Sequence, residues 1–121
     1  MTTGLFTAPL RGGVYEVADV TRLTERLRRA GWHVGAVDLG DARRAVREVG
    51  HELGFPSYYG RNLDALNDSL SELKRPTALT VAVPDSPDAY ALSMLDVLTD
   101  RARPASKVPF ALVRLPATTR P

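Results

Sequence analysis

The sequence predicts an α/β fold in which helices pack on a small, mainly parallel sheet of three to four strands. Three observations support this prediction. Short apolar runs alternate with segments of helical periodicity. The helical segments are long enough to connect parallel strands by right-handed crossovers. Proline or glycine ends most of the segments. At 121 residues, of which 44% are hydrophobic, the chain has the size of one domain with an ordinary core.

The first elements come before Gly40. Residues 14–17 have the pattern of a short strand, which could lie at an edge of the sheet. Asp19 or Thr21 can cap the following helix, and Gly31 ends it. Residues 32–39 are the next predicted strand.

The next helix contains one apolar face and two clear boundaries. Asp41 can cap its beginning, Val46, Val49 and Leu53 form the apolar face, and Gly54 is the predicted C-terminal stop. A further helix is predicted from Leu63 and is described below.

The last elements are a strand, a helix and a strand. Residues 78–83 are a nearly continuous apolar run, as in a strand covered on both faces. Ser86-Pro87 is a favourable helix start, and this helix ends before Pro104. Its predicted inward side chains are Ala91, Met94, Leu95 and Leu98. Residues 108–115 are the final predicted strand.

We therefore expect one domain over residues 1–121. In this interpretation, residues 1–31 form an N-terminal extension of a strand plus a helix, and residues 116–121 form a loose tail. There is no cysteine, which agrees with a reducing compartment, and no apolar stretch of signal-peptide or membrane-spanning length. The expected location is the cytoplasm, without a membrane partner.

The segment from Phe55 to Leu70, FPSYYGRNLDALNDSL, contains the strongest functional signal. Gly60 supplies a turn open to positive φ, and Asn62 stands where a helix N-cap belongs. A helix from Leu63 then has two different faces. Its apolar stripe consists of Leu63, Leu66, Leu70 and Leu73. Its polar side consists of Asp64, Asn67, Asp68 and Ser71.

Asp64 and Asp68 are like charges four residues apart, which is mildly unfavourable. Both occur in the first two turns, where the helix dipole stabilises acids. Considered without their neighbours, these two residues are explained by a solvated helix face. The preceding pair Tyr58 and Tyr59 changes the balance, because one ring can pack inward while the other stays exposed beside the acids. Exposed tyrosine beside charged groups is typical of binding surfaces.

The sequence YYGRNLDALNDSL resembles the YYGxNLDALxDxL signature of the barstar family of bacterial intracellular ribonuclease inhibitors. The order of elements fits the family from residue 32 to residue 115. This resemblance implies a barstar-like α/β fold and a 1:1 complex with an extracellular guanyl-preferring microbial ribonuclease. In such a complex the acidic helix face and the preceding turn block the enzyme's active site.

The resemblance also implies which residues bind the partner. Asp68 corresponds to the central acid that enters the phosphate pocket, with Asp64 as its neighbour. Tyr58 corresponds to a tyrosine that packs on the enzyme's catalytic histidine, and Asp100 to a second acidic contact. The complete predicted set is Tyr58, Gly60, Asn62, Leu63, Asp64, Asn67, Asp68, Ser71 and Asp100.

Three positions differ from the family pattern. Asn67 stands where the family has a tryptophan, Ser69 where it has a cysteine, and Arg61 where it has a glutamate. The missing tryptophan removes a large apolar contact, and Arg61 adds a positive charge at the edge of an acidic surface. Barnase itself is therefore not the expected best partner, whereas a barnase-like enzyme is.

The charge is unevenly distributed along the chain. The formal net charge is +2, yet residues 55–100 contain three bases and seven acids, which gives this stretch a charge of −4. This local field would steer a cationic enzyme towards the predicted surface. It argues against direct binding of nucleic acid, although arginines between residues 26 and 47 leave an RNA-binding module as one alternative.

A second alternative is a barstar-fold interaction domain whose partner is not a nuclease. An enzyme in which Asp64 and Asp68 act as paired carboxylates or hold Mg²⁺ is disfavoured, because two acids on one exposed helix face give a metal too few ligands. His33 and His51 are isolated in the sequence. We expect no catalytic residue, no metal site and no cofactor, and we expect a monomer when the protein is free.

Overall fold

The computed structural model describes residues 11–56, 59–103 and 108–116. The bounds of its strands and helices are β1 (Gly13–Glu16), α1 (Thr21–Arg29), β2 (His33–Asp38), α2 (Ala42–Glu52), α3 (Leu63–Ser71), β3 (Thr77–Val83), α4 (Ala89–Arg101) and β4 (Phe110–Pro116). Helices connect successive strands along this part of the chain, one between β1 and β2, two between β2 and β3, and one between β3 and β4. A 3-10 turn, Leu39–Asp41, joins β2 to α2. The predicted α/β fold is confirmed.

The described strands form one four-stranded sheet in the order β1-β4-β3-β2, and every pairing is parallel. The predicted first strand is therefore an edge strand, paired with β4. From β1 to β2 the chain crosses the whole sheet in one direction, and from β2 through β3 to β4 it returns. Right-handed crossovers place helices on opposite faces when the direction reverses. Consequently α1 lies on one face, and α2, α3 and α4 lie on the other.

Alternation along the strands divides the buried side chains into two clusters. Leu79 is paired with Leu112 across β3 and β4, and both belong to the larger core under α2, α3 and α4. The adjacent pair, Ala78 and Ala111, faces the smaller core under α1, which includes the buried Trp32. Strand β3 is thus covered on both faces, as its apolar run predicted.

Most helix boundaries follow the predicted signals. Gly31 and Gly54, at the ends of α1 and α2, have φ values of +88° and +67°, which favour glycine. Asp41 caps α2 by accepting a hydrogen bond from the backbone N of Arg44 at 3.2 Å. At α1 the predicted cap was wrong: the helix begins at Thr21, but its N-cap is Val20, which forms no side-chain cap, and Asp19 accepts a hydrogen bond from the backbone N of Thr21 at 2.9 Å.

Two further boundary predictions were wrong. Helix α4 begins at Ala89 rather than at Ser86-Pro87, because Asp88 is the N-cap and accepts a hydrogen bond from the backbone N of Ala91 at 2.8 Å. Pro116, predicted to begin the loose tail, is the last residue of β4. The rest of the predicted loose tail, residues 117–121, lies outside the described residues. The assignment of residues 1–31 as an extension of a single domain remains a prediction.

Candidate partner-binding site

Helix α3 is held at its beginning and along its apolar side. Asn62 adopts an extended backbone, and its side-chain Oδ1 accepts a hydrogen bond from the backbone N of Ala65 at 2.8 Å, as predicted for an N-cap. Leu66 and Leu70 are buried in the larger core, and Leu63 packs against that core while remaining partly exposed. The orientation of α3 relative to the sheet is therefore fixed by packing.

The opposite side of α3 carries exposed acids. Asp64 and Asp68 are both exposed, and neither forms an ion pair within the described part of the chain. The side-chain hydroxyl of Ser71 donates a hydrogen bond to the backbone O of Asp68 at 2.6 Å, so it satisfies a carbonyl in the last turn. The carboxylates thus stand on a rigid helix and are available to an external cation.

The turn before α3 is anchored by Tyr59. Its ring is buried, and its hydroxyl donates a hydrogen bond to the backbone O of Val46 in α2 at 2.7 Å. The ring also packs edge-on against Phe55, with a centroid distance of 5.1 Å. Burial raises the pKa of Tyr59 to about 12. Tyr59 is therefore the inward ring of the pair, while Tyr58 lies outside the described residues.

The conformation of the turn corrects one prediction. Gly60 does not have a positive φ; Arg61 does, at 59°. Gly60 is instead favoured by its small size, since a Cβ at this position would lie 3.2 Å from the Cβ of Ala65 in the first turn of α3, which is a tight contact. A left-handed backbone at a long side chain such as Arg61 is unfavourable and is maintained by the surrounding structure.

Asn67 connects α3 to α4. Its side-chain Oδ1 accepts a hydrogen bond from Nε of Arg101 at 2.8 Å, in a partly buried position. No local pattern predicts this contact, because the two residues are 34 positions apart and both are common on surfaces. Arg101 therefore lies beside the predicted partner-binding face, adjacent in the sequence to Asp100.

Asp100, the weakest of the predicted acidic contacts, is already paired. Its Oδ1 lies 2.9 Å from Nη2 of Arg103, and Nε of Arg103 donates to the backbone O of Asp100 at 2.7 Å. Both side chains are about two-thirds exposed, at 64% and 67%, so water screens this pair and it is weak. A cation on a partner would have to compete with Arg103 for Asp100.

A sequence model of the family described as Barstar (barnase inhibitor) matches residues 32–113, which is more than half of the chain. The chain belongs to the barstar family. The match runs from the residue before β2 into β4, and it includes the whole of α3 with its preceding turn. Barstar membership indicates a barnase-inhibitor-like function, in a family of inhibitors rather than enzymes. No curated protein matches the chain in sequence.

Strand β1 and helix α1 precede the part that matches the barstar family. They add the edge strand and the helix on the face of the sheet opposite α3. Their side chains are thus separated from the acidic helix face by the sheet, and α1 offers exposed charged residues that suit matched control substitutions.

Other kinds of site have little support in the described residues. Within them, no group of three or more histidine, cysteine, aspartate or glutamate side chains is arranged to hold a metal ion. Among the helices of the described ranges, none is both long and apolar enough to cross a membrane.

Proposed function

We propose that this protein inhibits a secreted guanyl-preferring, barnase-like ribonuclease by forming a 1:1 complex that covers the active site. The observation that carries this proposal is the pair of exposed, unpaired carboxylates, Asp64 and Asp68, on a rigidly held helix of a barstar-family chain. The proposed contact surface consists of Tyr58, Gly60, Asn62, Leu63, Asp64, Asn67, Asp68, Ser71 and Asp100.

The mechanism is competitive occlusion. A ribonuclease binds the phosphates of RNA with cationic side chains, and carboxylates accept the same charge-assisted hydrogen bonds from arginine or lysine. Asp68, in the middle of the exposed face of α3, would take the place of a phosphate, with Asp64 one turn earlier beside it. RNA and the inhibitor would then compete for one set of cations.

Preorganisation supports tight binding by this surface. Asn62 caps α3, the leucines fix its orientation, and Tyr59 ties the preceding turn to α2 through its hydrogen bond to Val46. Since the described backbone of this surface is held by internal contacts, little ordering of it would accompany binding. The free energy of association is then less reduced by lost conformational freedom.

The decisive experiment is a titration of the purified protein into a panel of microbial guanyl-preferring ribonucleases, barnase included, with RNA cleavage as the readout at low and moderate salt. We expect stoichiometric loss of activity for at least one enzyme, with faster association at low salt. If no enzyme of the panel is inhibited, the proposal of a guanyl-preferring ribonuclease partner fails.

Substitutions then locate the surface. Asp68→Ala is expected to weaken inhibition most, by roughly 2–5 kcal/mol if its charge is buried and paired in the complex. Tyr58→Ala and Asp64→Ala should follow. Glu25→Ala is the matched control, because Glu25 is an exposed acid on α1, across the sheet from α3. Equal, small effects at Asp68, Asp64 and Tyr58 would contradict occlusion by the acidic helix face.

A further inference from the structure

A cleft of about 490 Å³ lies beside the turn that precedes α3. Tyr59 and Phe55 are its aromatic lining residues, and its polar lining residues are Arg47, Glu48, His51 and Arg61. The cleft therefore lies between helix α2 and the same turn that the proposed function places at the ribonuclease surface.

The cleft is cationic because its one lining acid is already paired. Glu48 lies 3.1 Å from Nε of Arg44 and forms an ion pair with it. Arg47 and Arg61 are exposed, and neither is paired with a carboxylate among the described residues. Arg47 donates a hydrogen bond only to the backbone O of Arg43, at 3.2 Å, which leaves its positive charge uncompensated.

The position of Arg61 is set by the backbone and not by its side chain. Arg61 has a φ of 59°. It follows Gly60, which packs closely on Ala65, and precedes Asn62, whose backbone is extended and whose side chain caps α3. Arginine has no steric advantage in this conformation, whereas asparagine or glycine tolerates it well. Unfavourable backbone conformations of this kind cluster at functional sites.

We infer that Arg61, together with Arg47, binds an acidic side chain at the edge of the partner's cationic active site. This inference rests on the proposed function and specifies the partner further: the ribonuclease carries a carboxylate next to the cations that receive Asp64 and Asp68. Guanidinium groups bind carboxylates with paired hydrogen bonds, and both arginines border one cleft. Arg61 is then a residue that determines specificity.

A phosphate of RNA has the same charge as a carboxylate, but the surroundings favour a protein group. Asp64 is three residues from Arg61 in the sequence, and Asp68 is one turn further along α3, so a polyanion that extended from the cleft along α3 would meet two unpaired acids. A protein surface can place a single carboxylate in the cleft and cations against α3, which satisfies both sets of charges.

The test uses the ribonuclease of the panel that the wild-type protein inhibits most strongly. Arg61→Asn removes the charge while it suits the left-handed backbone, and Arg61→Glu reverses the charge. We expect Arg61→Glu to weaken inhibition roughly tenfold, chiefly by slower association, and Arg61→Asn to weaken it less without loss of stability. Arg47→Glu should act in the same direction as Arg61→Glu.

Arg28→Glu is the matched control, because Arg28 is an exposed arginine on α1, on the other face of the sheet. It should leave inhibition within about twofold of wild type, since charges beyond a Debye length are largely screened. In addition, each acid that borders the ribonuclease's active site should be replaced with lysine, one at a time. One of these lysine variants is expected to be inhibited better by the Arg61→Glu protein than by wild type.

The outcomes separate the inference from the proposed function. If Arg61→Glu inhibits as well as wild type while Asp68→Ala does not, the inference is wrong and the proposed function stands. If the Asp68 substitution is also without effect, or no enzyme of the panel is inhibited, both fail. If a single-stranded RNA oligonucleotide binds the wild-type protein and Arg61→Glu abolishes this binding, the cleft is a nucleic-acid site and the inference is overturned.

Discussion

Replacing Gly50 with alanine tests whether the ring of Tyr59 holds the turn before α3 in place. A Cβ built at Gly50 lies 2.5 Å from Cδ2 and 2.9 Å from Cε2 of Tyr59. Carbon atoms in contact prefer separations of about 3.5–4.0 Å, so the ring would have to move by about 1 Å. Its hydrogen bond to Val46, at 2.7 Å, and its contact with Phe55 oppose that movement.

The magnitude follows from two opposing effects. Overpacking a well-packed core costs about 1–3 kcal/mol, and a weakened hydroxyl hydrogen bond adds up to about 1 kcal/mol. Alanine is favoured over glycine inside a helix by about 1 kcal/mol, and Gly50 lies within α2. We expect Gly50→Ala to lower the free energy of unfolding by about 1–2 kcal/mol.

The assay is equilibrium unfolding in urea, followed by the fluorescence of Trp32, which is the chain's one tryptophan and is buried. The matched background is Tyr59→Leu, in which the crowded ring is absent. There, Gly50→Ala should be neutral or stabilising by up to about 1 kcal/mol, giving a coupling energy of about 2 kcal/mol between the two positions.

One result would refute this reasoning. If Gly50→Ala raised the free energy of unfolding by about 1 kcal/mol in the wild-type background as well, only helix propensity would be acting. The ring of Tyr59 would then not be fixed against α2. The rigidity assigned to the turn before α3, and with it the low entropic cost of binding, would lose its support.

Three further predictions concern single contacts. Asn62→Ala removes the N-cap of α3 and should lower the free energy of unfolding by about 1 kcal/mol, measured in urea; an unchanged value would mean that the cap contributes nothing. Because the pKa of Tyr59 is raised to about 12, the folded state keeps a proton that the unfolded chain loses near pH 10. Ionisation of Tyr59 should therefore leave the free energy of unfolding unaffected below pH 10 and lower it between pH 10 and 12. The urea midpoints of Tyr59→Phe should not show this decrease between pH 10 and 12. Asn67→Ala leaves Nε of Arg101 without its side-chain acceptor and should lower the free energy of unfolding by about 1 kcal/mol, with no loss in an Arg101→Ala background.

Local patterns were sufficient to predict the fold and the exposed face of α3. The spacing of Leu66 and Leu70 determines which side is buried, and Asn62 determines where the helix begins, so the exposure of Asp64 and Asp68 follows from one segment alone. Boundaries were less certain where two residues could cap the same helix. At α4, the Ser86-Pro87 pattern predicts the start of the helix, whereas Asp88 forms the capping hydrogen bond.

Contacts between segments could not be predicted in the same way. The hydrogen bond between Arg101 and Asn67 depends on how α4 packs against α3, which no local pattern specifies. The turn conformation was also misassigned, because glycine is the usual choice for a positive φ. Here Gly60 approaches Ala65 closely without a positive φ, and the positive φ occurs at Arg61.

Three arginines lie beside the acidic surface in the described part of the chain, and the sequence predicted this position only for Arg61. Arg101 reaches Asn67 on α3, Arg103 pairs with Asp100, and Arg61 occupies the turn before the helix. A cationic enzyme would meet attraction from the two unpaired acids on α3 and repulsion from arginines near them. Charges arranged in this alternating manner reduce affinity for a uniformly cationic surface more than for one with complementary acids. We therefore expect selectivity among barnase-like ribonucleases to depend on the arginines, and occlusion of the active site to depend on Asp68 and Asp64.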